Sequence, residues 1–455
     1  MSLVGVVLAN ETTNGVEYSY SREIHTYRYE FAGDSPMKNS NVSRRSVLAA
    51  AGTGLGMSIA GCTGGGSDGP TVGILEDRSG AFQLNGTSKW QATRLAIEEI
   101  NEDGGLLGEE IEIVDPDPQS DNSRYQELTE RLILQDEVDA LWAAYASPAR
   151  EAIRPIINDN DQLYFYTTQY EGGVCDNTIF PVGATARQQL EKVTPFMADE
   201  FGDDIYIVAV DNNFGQLSGD WVNVLAQEND YNIIEEEYIP VNETDFSSVI
   251  NRIQGEDPDF IMSMLVGANH ENFYDQRATA GMEDIPIGTP TTLCQGHEHI
   301  RYDPPAVTNV YAGVSYMEEL GDLREGENFV EDFYDRWPDA NYLNQEAQNS
   351  YFSVYLWAEA VEEAGTFDQE TVIEVLEEGQ EISAPSGELT LDGATHHMEH
   401  EMRVAEADEN HEISFSNTER IGPGFLRNEV EGGAGCDLRE EDKTTQYLPG
   451  DVYDI

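Results

Sequence analysis

Positive charge is scarce in this chain. Its 455 residues carry 24 Lys plus Arg against 87 Asp plus Glu, a formal net charge of −63. A nucleic-acid backbone and an anionic bilayer are both held electrostatically by a basic face, so neither is an expected partner on charge grounds. Cysteine is nearly as scarce: Cys62, Cys175, Cys294 and Cys436, with no Cys-x-x-Cys and no zinc-ligand spacing. No G-x-G-x-x-G follows the first strand and no G-x-x-x-x-G-K-[ST] occurs, so no nucleotide and no other cofactor is expected. G-x-S-x-G is absent, and carboxylates are too abundant for any pair to mark acid–base chemistry. The chain is therefore not expected to be an enzyme.

Apolar material is sufficient for a core, at 39 % hydrophobic and 9 % aromatic residues. The acid is spread along the chain, and resembles the composition of proteins from extreme halophiles. At molar salt the Debye length falls to about 3 Å and self-repulsion is screened. The N-terminus reads as an address. Arg44-Arg45 followed by Ser46, Val47 and Leu48 fits a twin-arginine export signal. The apolar stretch 47–60 is too short and too rich in Gly and Ala to span a bilayer. It ends in Ile59-Ala60-Gly61-Cys62, a lipobox-like sequence whose thiol would carry lipid. Met37 is the expected initiator, 1–36 upstream sequence, 37–62 the signal and 63–69 a flexible tether. The product is expected outside the cell, anchored to the membrane.

From Pro70 onward short apolar strands alternate with amphipathic helices. Strands are expected at 71–75, 110–114, 138–144, 163–166, 205–210, 233–238, 260–265 and 310–314. Helices are expected at 186–201, 216–228, 246–254, 269–280, 329–337 and 347–364, and short strands without helices at 388–391, 402–407 and 413–416. This pattern predicts an α/β fold of two Rossmann-like lobes with parallel sheets joined by a hinge. Lobe 1 is expected over 70–186 plus 315–384 and lobe 2 over 187–314 plus 385–428, with a mobile acidic tail at 429–455. With Cys62 lipidated at most one disulfide can form; isolated thiols without chemistry are the expectation, and a pairing of Cys175 or Cys294 with Cys436 is the alternative that stays open.

In such sheets ligands gather beyond the carboxyl ends of the strands. Those loops hold Glu76–Gly80, Tyr145–Ser147, Thr167–Gly172 with Gln169, Asp211–Phe214, and Val266–Asn269 with Gly267. Hydroxyls, amides and rings dominate, with little charge for so acidic a chain, which suits a small neutral polar solute. Ser147 before Pro148 and Asp211 before a helix also read as N-caps. His396, His397 and His400 read as a solvated turn and not as metal ligands.

The order of elements, and Tyr145-x-Ser147 with Ala152 and Pro155-Ile156, resemble type I periplasmic binding proteins of the leucine/isoleucine/valine group. The run Tyr170–Phe180, Gly183–Thr185 with Gln188-Gln189, Glu237–Pro240 with Thr244–Phe246, Tyr355–Trp357, and Ala384–Gly387 with His396-His397 narrow the resemblance to the urea and short-chain amide branch, over about Val72 to Pro423. The resemblance implies ligand contacts from Tyr145, Ser147, Tyr166 and Thr168. Asp211 matches the second-lobe position, Asn212 and Phe214 stand where tyrosine is usual, and Gln169 stands where proline is frequent. The implied function is a solute-binding lipoprotein of an ABC importer, with urea or a short amide as ligand and a membrane permease as partner. A branched-chain amino acid as ligand, for which the loops offer Arg78 and Asp211, and an amide-sensing regulator of the same fold are the alternatives.

Overall fold

The computed structural model describes residues 69–323, 328–427 and 433–455. The export signal at Arg44-Arg45, the lipobox ending at Cys62 and the start at Met37 lie outside the described residues.

The first lobe is built on β1 (Thr71–Leu75), β2 (Glu112–Val114), β3 (Ala140–Ala143), β4 (Tyr164–Tyr166) and, after the short β5 (Val174–Asp176), β6 (Ile179–Pro181). β2, β1, β3, β4 and β6 form a five-stranded sheet in that order, all parallel. β3, β4 and β6 are buried at every residue, as parallel strands covered on both faces must be, so their sequences are continuously apolar rather than alternating. Helices α1 (Gln83–Glu102), α2 (Asn122–Leu134) and α3 (Ser147–Asp159) supply the crossovers.

The chain enters the second lobe at α4 (Ala186–Phe201). A capping box fixes its start: Thr185 Oγ1 accepts from Gln188 N, and Gln188 Oε1 accepts from Thr185 N. There follow β7 (Asp204–Val210), α5 (Asn213–Asn229), β8 (Asn232–Ile239), α6 (Ser247–Glu256), β9 (Phe260–Met264), α7 (Ala268–Thr279), β10 (Ile287–Thr289), the short α8 (Glu298–Arg301) and β11 (Val310–Val314). β8, β7, β9, β10 and β11 are parallel neighbours in that order.

After α9 (Phe329–Arg336), helix α10 (Gln345–Ala364) returns to the first lobe. It packs on α1 and stacks Trp357 edge-on against Trp142, ring centroids 5.7 Å apart. Trp142 Nε1 donates to Ser353 Oγ at 2.9 Å, which satisfies the buried indole. α11 (Gln369–Glu377) leads to β12 (Glu381–Ala384), β13 (Gly387–Asp392), β14 (His397–Ala407) and β15 (Ile413–Ile421), which extend the second sheet antiparallel from β11. Ile382, Ala384, Leu389 and Leu391 nevertheless pack into the core of the first lobe. This α/β architecture of parallel-sheet lobes matches the fold class read from the sequence.

Three expectations are corrected. His396, His397 and His400 do not lie in a solvated turn; all are fully buried. His396 stacks on Phe180 at 4.0 Å, His397 pairs with the Tyr170 hydroxyl at 2.5 Å, and His400 Nε2 lies 3.1 Å from Val182 O. Burial lowers His397 and His400 to about 4, so both are neutral packing groups at pH 7. The C-terminal segment, expected to be mobile, is docked over its described part, 433–455. Against the expectation of isolated thiols, a disulfide joins Cys436 to Cys175 and leaves Cys294 free; β16 (Thr444–Gln446) pairs antiparallel with β5, and Tyr453 meets the edge of Trp221. Gly173, at φ 91°, is required there: a Cβ would lie 1.9 Å from Tyr447 O. Composition suggested mobility, but the disulfide and the added strand are long-range contacts.

Candidate functional site

The carboxyl ends of β1, β3 and β4 place Glu76, Tyr145 and Thr167–Gln169 side by side. Ala144, immediately after β3, takes a left-handed φ of 66°. For a residue with a Cβ this costs about 1–2 kcal/mol. The resulting turn leaves its carbonyl to accept from Lys89 Nζ at 2.8 Å and from Thr168 Oγ1 at 3.3 Å. Lys89 comes from α1 and is fully buried. Its ammonium also donates to Thr168 Oγ1 and pairs with Glu76 Oε1, each at 2.8 Å, so all three of its donors are used. Burial raises the Glu76 carboxyl to about 7 despite this cation. Tyr145 lies beside the ammonium, 5.9 Å from ring centroid to Nζ, and its hydroxyl accepts from Asn85 Nδ2 at 2.6 Å.

The first turn of α10 closes the other side. Asn344 caps the helix by accepting from Ala347 N, while its Nδ2 holds Gln295 O at 2.9 Å. Gln345 spans the two sheets. Its Oε1 accepts from the Ser315 backbone and hydroxyl beyond β11, and its Nε2 donates to Gln169 Oε1, beyond β4, at 2.8 Å. Glu346 is fully buried, and Gln295 Nε2 donates to its Oε1 at 3.0 Å. Burial raises its carboxyl to about 7, and the Lys89 charge lowers it only in part. After burial, the same carboxylate is the main cause of the raised Tyr145 phenol and Cys294 thiol. Four polar atoms of this cluster have no hydrogen-bond partner: Glu76 Oε2, Asn85 Oδ1, Gln169 Nε2 and Glu346 Oε2.

Of the residues singled out in the sequence, Tyr145, Thr168 and Gln169 converge here. Tyr166 lies beneath them in the first-lobe core, its hydroxyl donating to Tyr145 O at 2.9 Å. Ser147 is not the N-cap of α3; Ala146 is. Ser147 Oγ instead donates to Glu171 Oε2 at 2.6 Å, in a buried network with Arg150. Burial would raise Glu171, but Arg150 and Ser147 outweigh it and hold it below the usual carboxylate range. Three candidates stand apart from the cluster. Asp211 is exposed and accepts from Gln216 Nε2, while Asn212 caps α5. Phe214 packs in the second-lobe core with Trp221, and Gly267 is an exposed residue preceding α7. Arg78 is held by Asp115 and Trp90, away from Asp211.

The lining is more charged than its loops suggested, because Lys89 and Glu346 come from helices. Lys89 is one of four lysines in the chain and sits on the apolar stripe of α1 with Ala92 and Ala96, where packing alone gives no reason for a lysine. Among the described residues no His/Cys/Asp/Glu cluster suits a metal ion, and no helix is long and apolar enough to cross a membrane. A surface depression of about 660 Å³ near Glu98, Glu102 and Arg336 lies at the far end of α1 from Lys89.

Comparison with known proteins agrees with this arrangement. The family model described as "Periplasmic binding protein" matches residues 70–412. The Leu/Ile/Val-binding protein homolog 7 of Brucella abortus (strain 2308) is 22 % identical over 330 residues, covering 67 % of this chain and 80 % of the relative. A solute-binding protein of an ABC transporter from Rhodopseudomonas palustris BisB5, solved with 3,4-dihydroxybenzoic acid, superposes with a TM-score of 0.69 at 17 % identity, covering 78 % of this chain and 98 % of that one. The branched-chain amino acid transporter substrate-binding protein of Streptococcus pneumoniae, solved with isoleucine, gives 0.65 at 17 % identity, covering 78 % and 99 %. With two parallel-sheet lobes, polar groups converging at their strand ends and a family match over most of its length, the chain belongs to the periplasmic binding protein family.

Proposed function

We propose that this protein is the extracytoplasmic solute-binding component of an ABC importer, and that its solute is urea or a short-chain amide. One observation carries the choice of ligand. The ammonium of Lys89 is saturated by Glu76, Ala144 O and Thr168; Arg150 is ion-paired with Glu171 and Glu151, although its Nη1 has no hydrogen-bond partner. A ligand carboxylate entering the cluster would find the Lys89 ammonium already spent and the carboxyls of Glu76 and Glu346 beside it, and burying it unpaired costs several kcal/mol. An uncharged amide needs no counter-ion. Tyr145, Thr168 and Gln169 are the first-lobe contacts in this reading, with Ser147 and Tyr166 supporting them. The solute is held and released unchanged, and hinge closure of the two lobes presents it to a membrane permease. The sequence at Arg44-Arg45 and Cys62 supports export and a lipid anchor, and argues against a cytoplasmic regulator.

A branched-chain amino acid is the second reading, favoured by the names of the relatives and by Glu346 as a partner for an ammonium. Calorimetric titration in about 2 M KCl with urea, acetamide, leucine, isoleucine and benzoate separates the two. Heat from urea or acetamide alone supports the amide reading; heat from leucine or isoleucine alone overturns it. Ammonia released from either amide would overturn the non-catalytic assignment.

A further inference from the structure

We propose that Glu346, on the first turn of α10, is the residue that accepts the ligand's N–H, and that it works as a pair with Gln169, whose amide donates to the ligand's carbonyl. This rests on the amide reading above and goes beyond it, because it makes the specificity element a residue of the returning helix and not of a strand-end loop.

Glu346 is fully buried and Gln169 is 3 % exposed. Each has one terminal atom engaged and one free. Gln295 holds Glu346 Oε1 and Gln345 holds Gln169 Oε1, so the free atoms are an acceptor, Glu346 Oε2, and a donor, Gln169 Nε2. The engaged bonds fix both side chains, and Gln345, the neighbour of Glu346, brings the Gln169 amide against the same helical turn. An unmade hydrogen bond of a buried group is costly, so the two orphans call for one ligand that answers both. A primary carboxamide or urea does so with adjacent atoms: N–H toward the carboxylate and C=O toward the amide. An ester or a tertiary amide offers the carbonyl but no N–H. Lys89 is positioned to moderate the carboxylate without competing for the ligand, since its donors are spent.

The test is titration of the full mature protein in about 2 M KCl with acetamide, urea and N,N-dimethylacetamide, on the wild type and on E346Q and Q169A. Acetamide and urea are expected to bind the wild type and N,N-dimethylacetamide not to. E346Q and Q169A should each weaken acetamide by about 10- to 100-fold, the range for a hydrogen bond to a charged or buried partner. The wild-type methylation series needs no variant to fold. N,N-dimethylacetamide binding as well as acetamide overturns the inference, as does an E346Q variant within threefold of wild type. Wild-type protein that ignores amides and binds leucine overturns the amide reading itself.

Discussion

Glu346 also allows a stability prediction that does not depend on any ligand. Its carboxyl is raised from 4.5 to about 7, first by burial, with Gln295 and Lys89 offsetting part of the cost. Each tenfold change in proton affinity is worth roughly 1.4 kcal/mol, so ionised Glu346 opposes folding by about 3 kcal/mol. The sign follows from linkage. Between the unfolded and folded values the native state holds the proton more tightly, so this residue's contribution declines as pH rises from about 4.5 to 7 and stays low above that. Glu346→Gln keeps the shape, and a carbonyl remains for Gln295 Nε2. The variant should therefore exceed wild type by up to about 3 kcal/mol at pH 8, with the difference shrinking toward pH 5. Thermal unfolding by scanning calorimetry in about 2 M KCl is the assay, because urea is a candidate ligand and a poor choice of denaturant here. Comparing wild type with variant at each pH cancels the titration of the acidic surface. A variant no more stable than wild type at pH 8, or one equally stabilised at pH 5, would refute the reasoning.

Lys89→Met should act in the opposite direction, leaving Glu76 buried without its partner. The expected loss is about 3–5 kcal/mol at pH 8, relieved on acidification as Glu76 takes a proton, and read by the same calorimetry. Cys436→Ser opens a disulfide with a sequence separation of 261, and roughly 4–5 kcal/mol of stabilisation should go with it. Limited proteolysis should then cut the released C-terminal segment first; a variant as stable and as resistant as wild type would count against a structural strap. The unfolding temperature of the wild type should climb between about 0.1 M and 2 M KCl as the charge of −63 is screened, and a midpoint independent of salt would contradict the reading of the surface.

Legibility in the sequence followed length and locality. Helix 186–201 and strand 310–314 stand at the bounds that periodicity indicates, the helix because Thr185 and Gln188 are local signals of its start. β5, β6 and β10 have three residues each, too few to show any period. The histidines of β14 resembled a turn because polar residues in a strand buried on both faces break the apolar run that marks such a strand. The site divides in the same way. Tyr145, Thr168 and Gln169 follow strands, and the strand-end rule finds them. Glu346 does not: periodicity starts α10 at Ala347, because Asn344-Gln345-Glu346 reads as a polar approach to the helix. Their burial arises only when Ser315, Gln169 and Gln295 arrive from distant parts of the chain.

The scarcity of cations gives the interior a particular logic. In a chain with 24 basic side chains, several are withdrawn from the surface where they would offset acid. Arg277 is fully buried and donates to the carbonyls of Glu283, Ile285, Ala306 and Thr308, gathering the ends of two loops around β10 and β11. Arg403 reaches from β14 to Ser315 O and Ser386 O, beside the passage to α10. Lys89 holds a strand-end carbonyl and Arg150 holds Glu171. A guanidinium offers five N–H donors and an ammonium three, against the two of an amide such as Gln189, which holds Pro290 O and Gly313 O. Uniform surface repulsion carries no directional information, whereas these buried donors fix the loops they hold. Salt can therefore relieve the surface without loosening the site, since contacts of this kind are screened far less than exposed charges.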